Sequence, residues 1–193
     1  MQLTPDGKRA LVSTTEGPVL VFDATQDEPI GKLEGLKQNI QFLNVSADGK
    51  LAGGSTLTEA CVWNLETQKI VLQPKIDRFA PSCMAFSADN RRAYFGFIFI
   101  RFQGWDLSSG ELLKEWQPQR GNTKAVMLAD DDKTLIATDS QELFHYEAST
   151  GKLLKSEPLA PGGGGYYYAR LAAECRQGVF VKAHSSLDVI SLN

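Results

Sequence analysis

The stretch SADGKLA at residues 46–52 decides the fold, because variants of it recur along the chain. An Asp-Gly pair between apolar stretches indicates a tight turn: the Asp side chain bonds to nearby backbone, and Gly accepts a positive φ at little cost. The related segments are TPDGKRA at 4–10, SADNRRA at 87–93, ADDDKTL at 129–135 and AAECRQG at 172–178. Their acidic residues Asp6, Asp48, Asp89, Asp131 and Glu174 are separated by 42, 41, 42 and 43 residues.

A second landmark keeps the same spacing. It consists of VFDATQDE, VWNLETQK, GWDLSSGE, HYEASTGK and the terminal VISLN, which place Phe22, Trp63, Trp105, Tyr146 and Ile190 in register. The intervals between these residues are 41, 42, 41 and 44. Two landmarks with one period indicate five copies of a unit whose length is that of a four-stranded propeller blade, about 40 to 45 residues.

Each unit reads as an antiparallel meander, because apolar stretches alternate with turns rich in Asp, Gly, Ser and Thr. In the second unit the later part of the first strand is predicted at 44–47, and the other three strands at 51–55, 60–64 and 69–73. Helical periodicity does not extend over a useful length anywhere in the chain. The sequence therefore predicts an all-β protein.

The dipeptides at the ends of the third predicted strands resemble those of the WD40-repeat family: Trp105-Asp106 in GWDLSSGELL, Trp63-Asn64 in VWNLETQKI and Phe22-Asp23 in VFDATQDEP. With the SADGK and TPDGK turns, the resemblance covers the whole chain. It implies one β-propeller domain over 1–193, made of about five four-stranded antiparallel blades. The approximate blades are 1–36, 37–77, 78–119, 120–161 and 162–193. The Gly-His dipeptide of the family is absent from every unit, so its Asp-His-Ser/Thr-Trp hydrogen-bond network is not expected.

The phase of the repeat at the two ends predicts an incomplete ring. Residues 1–3 can supply only the end of a first strand, and the sequence stops in the third strand of the fifth unit. We therefore expect the fifth blade to be incomplete and the chain to be a segment of a larger ring of about seven blades.

Composition and charge narrow the possible partners. The formal net charge of -3 is opposite to the basic surface that nucleic acids require, so no nucleic-acid partner is predicted. No apolar run approaches the roughly 20 residues of a membrane-spanning helix, so no membrane partner is predicted either. The three cysteines form no CxxC pair and are expected to be reduced. A soluble protein is predicted; the compartment and the oligomeric state are not determined, although the cytoplasm is favoured.

The residue groups that could suggest chemistry are better explained by structure. The run PGGGG at 161–165 lacks the helix start or Lys-Ser/Thr pair of a phosphate loop and is interpreted as a linker. The acidic run at 130–132 lacks the alternating oxygen ligands of a calcium loop. His145 and His184 have no sequence-neighbouring carboxylate that suggests a triad. No catalytic residue, metal or cofactor is therefore predicted, and the protein is not expected to be an enzyme.

The resemblance implies that the loops between second and third strands, and between successive units, open on one face where partners dock. Arg and large aromatic residues most often dominate interface energies. Those in or beside these loops are Arg78, Phe79, Phe99, Arg101, Arg120 and Tyr166. The apolar run 97–102, where a polar turn is expected, adds to this surface. The sequence predicts a non-catalytic scaffold that binds a protein or peptide through these six candidates.

Two other functions stay open at this stage. The segments DLSSGELL and EASTGKLL also resemble strand-turn units of quinoprotein and amine-dehydrogenase propellers, which would imply an oxidoreductase. Alternatively, the repeats form a sensor or regulatory domain joined to an effector outside this sequence.

Overall fold

The computed structural model describes residues 1–15, 17–37, 39–77, 80–97, 101–117, 123–129, 132–139, 141–159, 166–172, 177–182 and 187–191, the last three ranges as strand backbone. These residues contain strands and connecting turns but no helix. No helix among them could therefore cross a membrane.

The strands form five antiparallel sheets, four with four strands and one with three. Within every sheet, each strand pairs with its neighbour in the chain. This confirms the predicted all-β architecture of repeated meanders. The strands are, sheet by sheet, β1 (Gln2–Leu3), β2 (Arg9–Ser13), β3 (Val19–Asp23), β4 (Pro29–Leu33); β5 (Phe42–Val45), β6 (Leu51–Ser55), β7 (Ala60–Asn64), β8 (Ile70–Leu72); β9 (Pro81–Phe86), β10 (Arg92–Phe97), β11 (Arg101–Asp106), β12 (Leu112–Trp116); β13 (Ala125–Leu128), β14 (Thr134–Thr138), β15 (Glu142–Glu147), β16 (Leu153–Pro158); and β17 (Tyr166–Ala172), β18 (Gln177–Lys182), β19 (Leu187–Ser191).

The turn between the first and second strands of a sheet is built on a repeated hydrogen-bond pattern. In the second sheet the Ser46 hydroxyl donates to Asp48 Oδ1 at 2.8 Å, and the same Oδ1 accepts from the Lys50 N–H at 3.0 Å. The Leu51 N–H donates to Ser46 Oγ at 3.0 Å. The same three bonds occur at Thr4, Asp6, Lys8 and Arg9, and at Ser87, Asp89, Arg91 and Arg92. In these three turns the acidic residue of the repeat is thus a turn cap.

The turn between the third and fourth strands explains why a polar residue follows the aromatic residue of the second repeated motif. Asp106 Oδ1 accepts from the N–H groups of Ser108 and Ser109 at 2.8 and 2.9 Å. Asp23 and Asn64 accept from the residues of their own turns in the same way. The polar residue after the strand aromatic is therefore a cap that holds the turn, because it bonds backbone donors that have no strand partner.

Apolar side chains of the described residues form three clusters, each shared by two successive sheets. Because strand side chains alternate between faces, Trp63 packs towards the first sheet and Val62 towards the third. The clusters contain Leu11, Val21, Leu33, Leu43, Cys61 and Trp63; Leu51, Val62, Met84, Phe95 and Leu107; and Tyr94, Phe102, Trp116, Leu135, Phe144 and Tyr146. The core therefore lies between sheets and continues from one sheet to the next.

The aromatics predicted to pack between units differ in burial. Trp63 is 0% exposed and Tyr146 is 2% exposed. Phe22 and Trp105, at the equivalent positions of their sheets, are only half-buried. Equivalent positions in the repeat therefore do not contribute equally to the core.

The first strands of successive sheets lie next to one another in chain order. β1 contacts β5, β5 contacts β9, β9 contacts β13, and β13 contacts β17. The Asn44 side-chain amide of β5 donates to the Met84 carbonyl of β9 at 2.9 Å. The Ser55 hydroxyl at the end of β6 donates to the Pro81 carbonyl at 2.6 Å. Hydrogen bonds therefore join the sheets along the edge that carries their first strands.

The turns at the far end of the first strands are also joined from sheet to sheet. The Asn90 side-chain amide donates to Asp48 Oδ2 at 2.7 Å, and the Ala88 N–H donates to Asp132 Oδ2 at 2.9 Å. Partial burial alone would raise the pKa of Asp48, but hydrogen bonds from Asn90, Lys50 and Ser46 outweigh it and lower this pKa to about 2. The Asp48 carboxylate is thus stabilised in its charged form by two different sheets.

Acid should weaken this connection. Because the pKa of Asp48 falls from 3.8 to about 2 on folding, the unfolded chain binds the proton more tightly. The contribution of Asp48 to stability is present above pH 3.8 and is lost as the pH falls towards about 2. We expect Asp48→Asn to lower the free energy of unfolding at neutral pH by about 1 kcal/mol, since solvent screens this partly exposed group. The same substitution should reduce the acid-dependent loss, measured by chemical denaturation across that pH range.

Asp6→Asn is the matched control, because within the described part of the chain the Asp6 carboxylate bonds to Thr4 and Lys8 of its own turn. We expect it to change neutral-pH stability less than Asp48→Asn does. Equal effects of the two substitutions would contradict a role for the bond between Asp48 and Asn90 in joining the sheets.

Candidate binding site

A cavity of about 260 Å³ lies between the first strands of the sheets. Its lining comes from the starting ends of β5, β9 and β13, and from Ser13 at the end of β2, which runs antiparallel to β1. The cavity is thus at the end of the sheets opposite to the capped turns. The lining residues are Met1, Ser13, Ile40, Gln41, Phe42, Leu43, Asn44, Ser82, Cys83, Met84, Lys124, Ala125 and Val126.

The lining of the cavity includes buried apolar residues, although more of its surface is polar than apolar. Leu43, Met84 and Val126 are buried, each with less than a tenth of its surface exposed. Cys83 is also buried, and this burial raises the pKa of its thiol to about 12, despite weak hydrogen bonds to Ser82 and Gly96. The thiol is therefore protonated at neutral pH and is a packed wall residue, because the thiolate is the reactive form.

The polar residues of the lining fall into two groups. Asn44 and Ser82 are held by the chain itself: Asn44 donates to Met84, and the Ser82 hydroxyl lies 3.3 and 3.2 Å from the carbonyl oxygens of Gly96 and Thr123. Gln41 is exposed and Lys124 is half-buried. Within the described ranges, the side chains of Gln41 and Lys124 form none of the observed hydrogen bonds or ion pairs. These two side chains are therefore available at the rim of the cavity.

Gln41 and Lys124 occupy equivalent places in the repeat. The Gln41 N–H donates to the carbonyl of Ser55, the last residue of β6, at 2.8 Å. The Lys124 N–H donates to the carbonyl of Thr138, the last residue of β14, also at 2.8 Å. Each residue is thus fixed at the point where the chain enters a first strand. Sequence reasoning did not single out either one, although the position immediately before each first strand is a usable signal.

Arg101 is the only predicted partner-binding residue whose side chain the structure describes. Its guanidinium lies 4.2 Å from the centre of the Phe97 ring and bonds to Asp77 Oδ1 at 3.0 Å. Glu115 lies 3.8 Å from the same nitrogen. Arg101 does not line the cavity, and its charge is already paired within the chain.

The structure does not describe the side chains of the other five predicted partner-binding residues. Arg78, Phe79, Phe99 and Arg120 lie outside the described residues, and Tyr166 is placed only as the first residue of β17. Residues 97–102 were predicted as an apolar loop, but both ends of this run belong to strands. Phe97 ends β10 and Phe102 belongs to β11; both are buried.

His145 lies on β15 and is buried, with Nε2 3.0 Å from Glu157 Oε1 of β16. Burial lowers the pKa of His145, against the opposing effect of its hydrogen bond to Glu157, and Lys155 lowers this pKa further. Lys155 Nζ is 3.4 Å from the same Glu157 oxygen. The histidine is therefore part of a cross-strand polar group away from the cavity; His184 lies outside the described residues.

The described ranges contain no group of three or more His, Cys, Asp or Glu side chains arranged to hold a metal ion.

Comparison of the sequence with models of known families and with curated proteins found no match.

Proposed function

We propose that the chain forms blades of a WD40-like β-propeller and acts as a non-catalytic scaffold that binds a protein or peptide. The partner binds at the end of the sheets where the first strands begin. The proposed partner is neither a nucleic acid nor a membrane, in keeping with the formal net charge of -3.

The propeller arrangement is supported by the order of contacts between sheets. First strands lie side by side in chain order, and apolar clusters fill the spaces between successive sheets. Repeated blades around a central axis produce this combination, because every blade buries both faces against its neighbours.

The main support for the proposed binding function is the cavity between the first strands. It is concave, its lining includes buried apolar residues, and the side chains of Gln41 and Lys124 are available at its rim. Ligand sites in proteins combine an apolar concave surface with a small number of polar groups that orient the ligand. Most pockets that enclose a whole drug-sized ligand have about 300 to 1,000 Å³, so this smaller volume suits one or two side chains of a larger partner.

The surroundings of the cavity suit a rigid binding surface. β5 is bonded to β9 through Asn44, and Ser82 of β9 lies within hydrogen-bond distance of the Thr123 carbonyl before β13. A lining held by bonds between sheets loses little conformational freedom when a partner binds, which favours affinity.

A matched pair of substitutions tests the proposed surface. Gln41→Trp places a large side chain at the rim of the cavity, whereas Gln26→Trp makes the same change at an exposed turn on the opposite end. Peptides would first be selected from a displayed random library on the full chain. We expect Gln41→Trp to weaken their binding at least about tenfold, as loss of a central contact does, and Gln26→Trp to have little effect.

Both variants would be checked for unchanged thermal unfolding, and affinities would be measured by fluorescence anisotropy. Failure to select any peptide, or equal effects of Gln41→Trp and Gln26→Trp, would overturn the proposed function.

A further inference from the structure

We infer that the cavity between the first strands accepts an acidic side chain, Asp or Glu, of a peptide partner, and that Lys124 is the residue that binds it. This inference rests on the proposed function and specifies the chemistry of the partner.

The first evidence for an acidic ligand is the charge of the residues that line the cavity. Lys124 is the only charged side chain among the described residues that line the cavity, and none of them is Asp or Glu. The ion pairs found in the described part of the chain involve other residues, so the Lys124 charge has no partner among them. A half-buried cation at a concave surface attracts an anion and repels a basic side chain, because solvent screens it less than it screens a fully exposed charge.

The second evidence for an acidic ligand is the set of hydrogen-bond donors in the lining of the cavity. An ionised carboxylate only accepts hydrogen bonds, so its site must provide donors. Lys124 offers an ammonium group and Gln41 offers a side-chain amide, and neither donor is used within the described residues. The Ser13 hydroxyl is a third donor in the lining. Asn44 already donates to Met84, so it is not needed for the ligand.

The number of charges favours a carboxylate over a phosphate. Phosphate groups in peptides are generally bound by clusters of Arg that share their double charge. The described lining contains one lysine and no arginine, so its described part lacks the Arg cluster typical of phosphate sites. The volume of about 260 Å³ fits one acidic side chain with neighbouring peptide backbone.

The experiment compares Lys124→Gln with Lys114→Gln. Lys114 is exposed on the outer strand β12, so the control removes the same charge away from the cavity. Peptides selected on the unmodified chain from a displayed random library should contain a recurring Asp or Glu. Their binding would be measured by fluorescence anisotropy, together with twins in which that residue is Asn or Gln. Thermal unfolding would verify that both variants fold.

We expect Lys124→Gln to weaken binding about tenfold to a hundredfold, the range for a charge-assisted hydrogen bond, and Lys114→Gln to leave it unchanged. On the unmodified chain, the twin peptide with Asn or Gln should bind more weakly than the acidic peptide by a similar factor. On the Lys124→Gln variant the two peptides should bind about equally, because both changes remove the same interaction. Lys124→Glu should reverse the preference towards peptides with Lys or Arg.

The outcomes separate the two proposals. If peptides bind and Gln41→Trp blocks them while Lys124→Gln and the neutral twins bind normally, the scaffold function stands and the acidic-side-chain inference is overturned. If no peptide is selected, or if Gln41→Trp and Gln26→Trp act alike, the scaffold function fails and this inference fails with it. Selection of phosphate-bearing peptides in preference to acidic ones, from a library that contains both, would also overturn the inference.

Discussion

Replacing Trp63 with alanine should lower the free energy of unfolding by about 3 to 5 kcal/mol, the range for removal of a large buried aromatic side chain. Trp63 is 0% exposed and packs in the cluster between the first and second sheets. Its indole N–H also donates to the Glu34 carbonyl at 2.6 Å, which ties the second sheet to the segment that precedes it. The substitution therefore opens a cavity and leaves a carbonyl without its donor. Equilibrium denaturation with urea measures the effect.

Trp105→Ala is the matched comparison, since Trp105 has the equivalent place in the third sheet but is only half-buried. Its indole N–H bonds within its own strand, to Gln103 Oε1 at 3.2 Å. We expect this substitution to be clearly less destabilising than Trp63→Ala. Equal losses would show that the second and third sheets do not differ in packing as described.

Replacing Gly151 with alanine should destabilise the fold by about 2 to 5 kcal/mol, because two unfavourable effects add. The first is backbone strain, since Gly151 has a φ of +72°, which side chains disfavour. The second is overpacking: an added Cβ would lie 2.4 Å from Cγ of Trp116. The Trp116 ring is rigid and is itself packed against Tyr94 and Phe102, so it cannot move aside without disturbing the core.

Gly110 separates the two effects. It occupies the same turn position in the third sheet with a φ of +74°, but no described atom lies within 4 Å of an added Cβ. Gly110→Ala should therefore show the backbone effect alone, about 1 to 2 kcal/mol. The difference between the two variants, measured by urea denaturation, reports the contact with Trp116. Identical losses would contradict the close approach of the fourth-sheet turn to that ring.

The strands and turns of a single repeat could be predicted well from sequence, because local chemistry determines them. In the second sheet the predicted strands 51–55 and 60–64 match β6 and β7 at both ends. The later part of the first strand was predicted at 44–47, but the strand ends at Val45. It ends there because Ser46 caps the turn with its hydroxyl instead of continuing the strand. Apolar patterning alone does not reveal that cap.

Burial between sheets was less predictable. Phe97 and Phe102 appeared as part of an exposed apolar loop, yet they belong to different clusters on opposite faces of the third sheet. Trp63 and Trp105 appeared equivalent, yet only Trp63 is fully enclosed. Such differences depend on which residues the neighbouring sheet presents, and one repeat considered alone does not contain that information.

The sequence could mark the positions before the first strands, but it could not show that residues of different sheets meet there, for a related reason. Lys124, Gln41 and Ser13 come from three different sheets and meet only because the first strands lie side by side. Arg101 was predicted to bind a partner because of its residue type. Its guanidinium is instead paired within the chain, with Asp77 and the Phe97 ring. Residue type indicates which side chains can bind strongly, whereas tertiary contacts decide which ones are free to do so.

A crystal structure of the full chain would test most directly the central claim that successive sheets meet along their first strands. We expect β1, β5, β9 and β13 side by side, the Asn44 amide bonded to the Met84 carbonyl, and the Asn90 amide bonded to Asp48. Sheets stacked face to face as a sandwich, with the turns of Asp48 and Asn90 far apart, would contradict it and remove the cavity on which the proposed function depends.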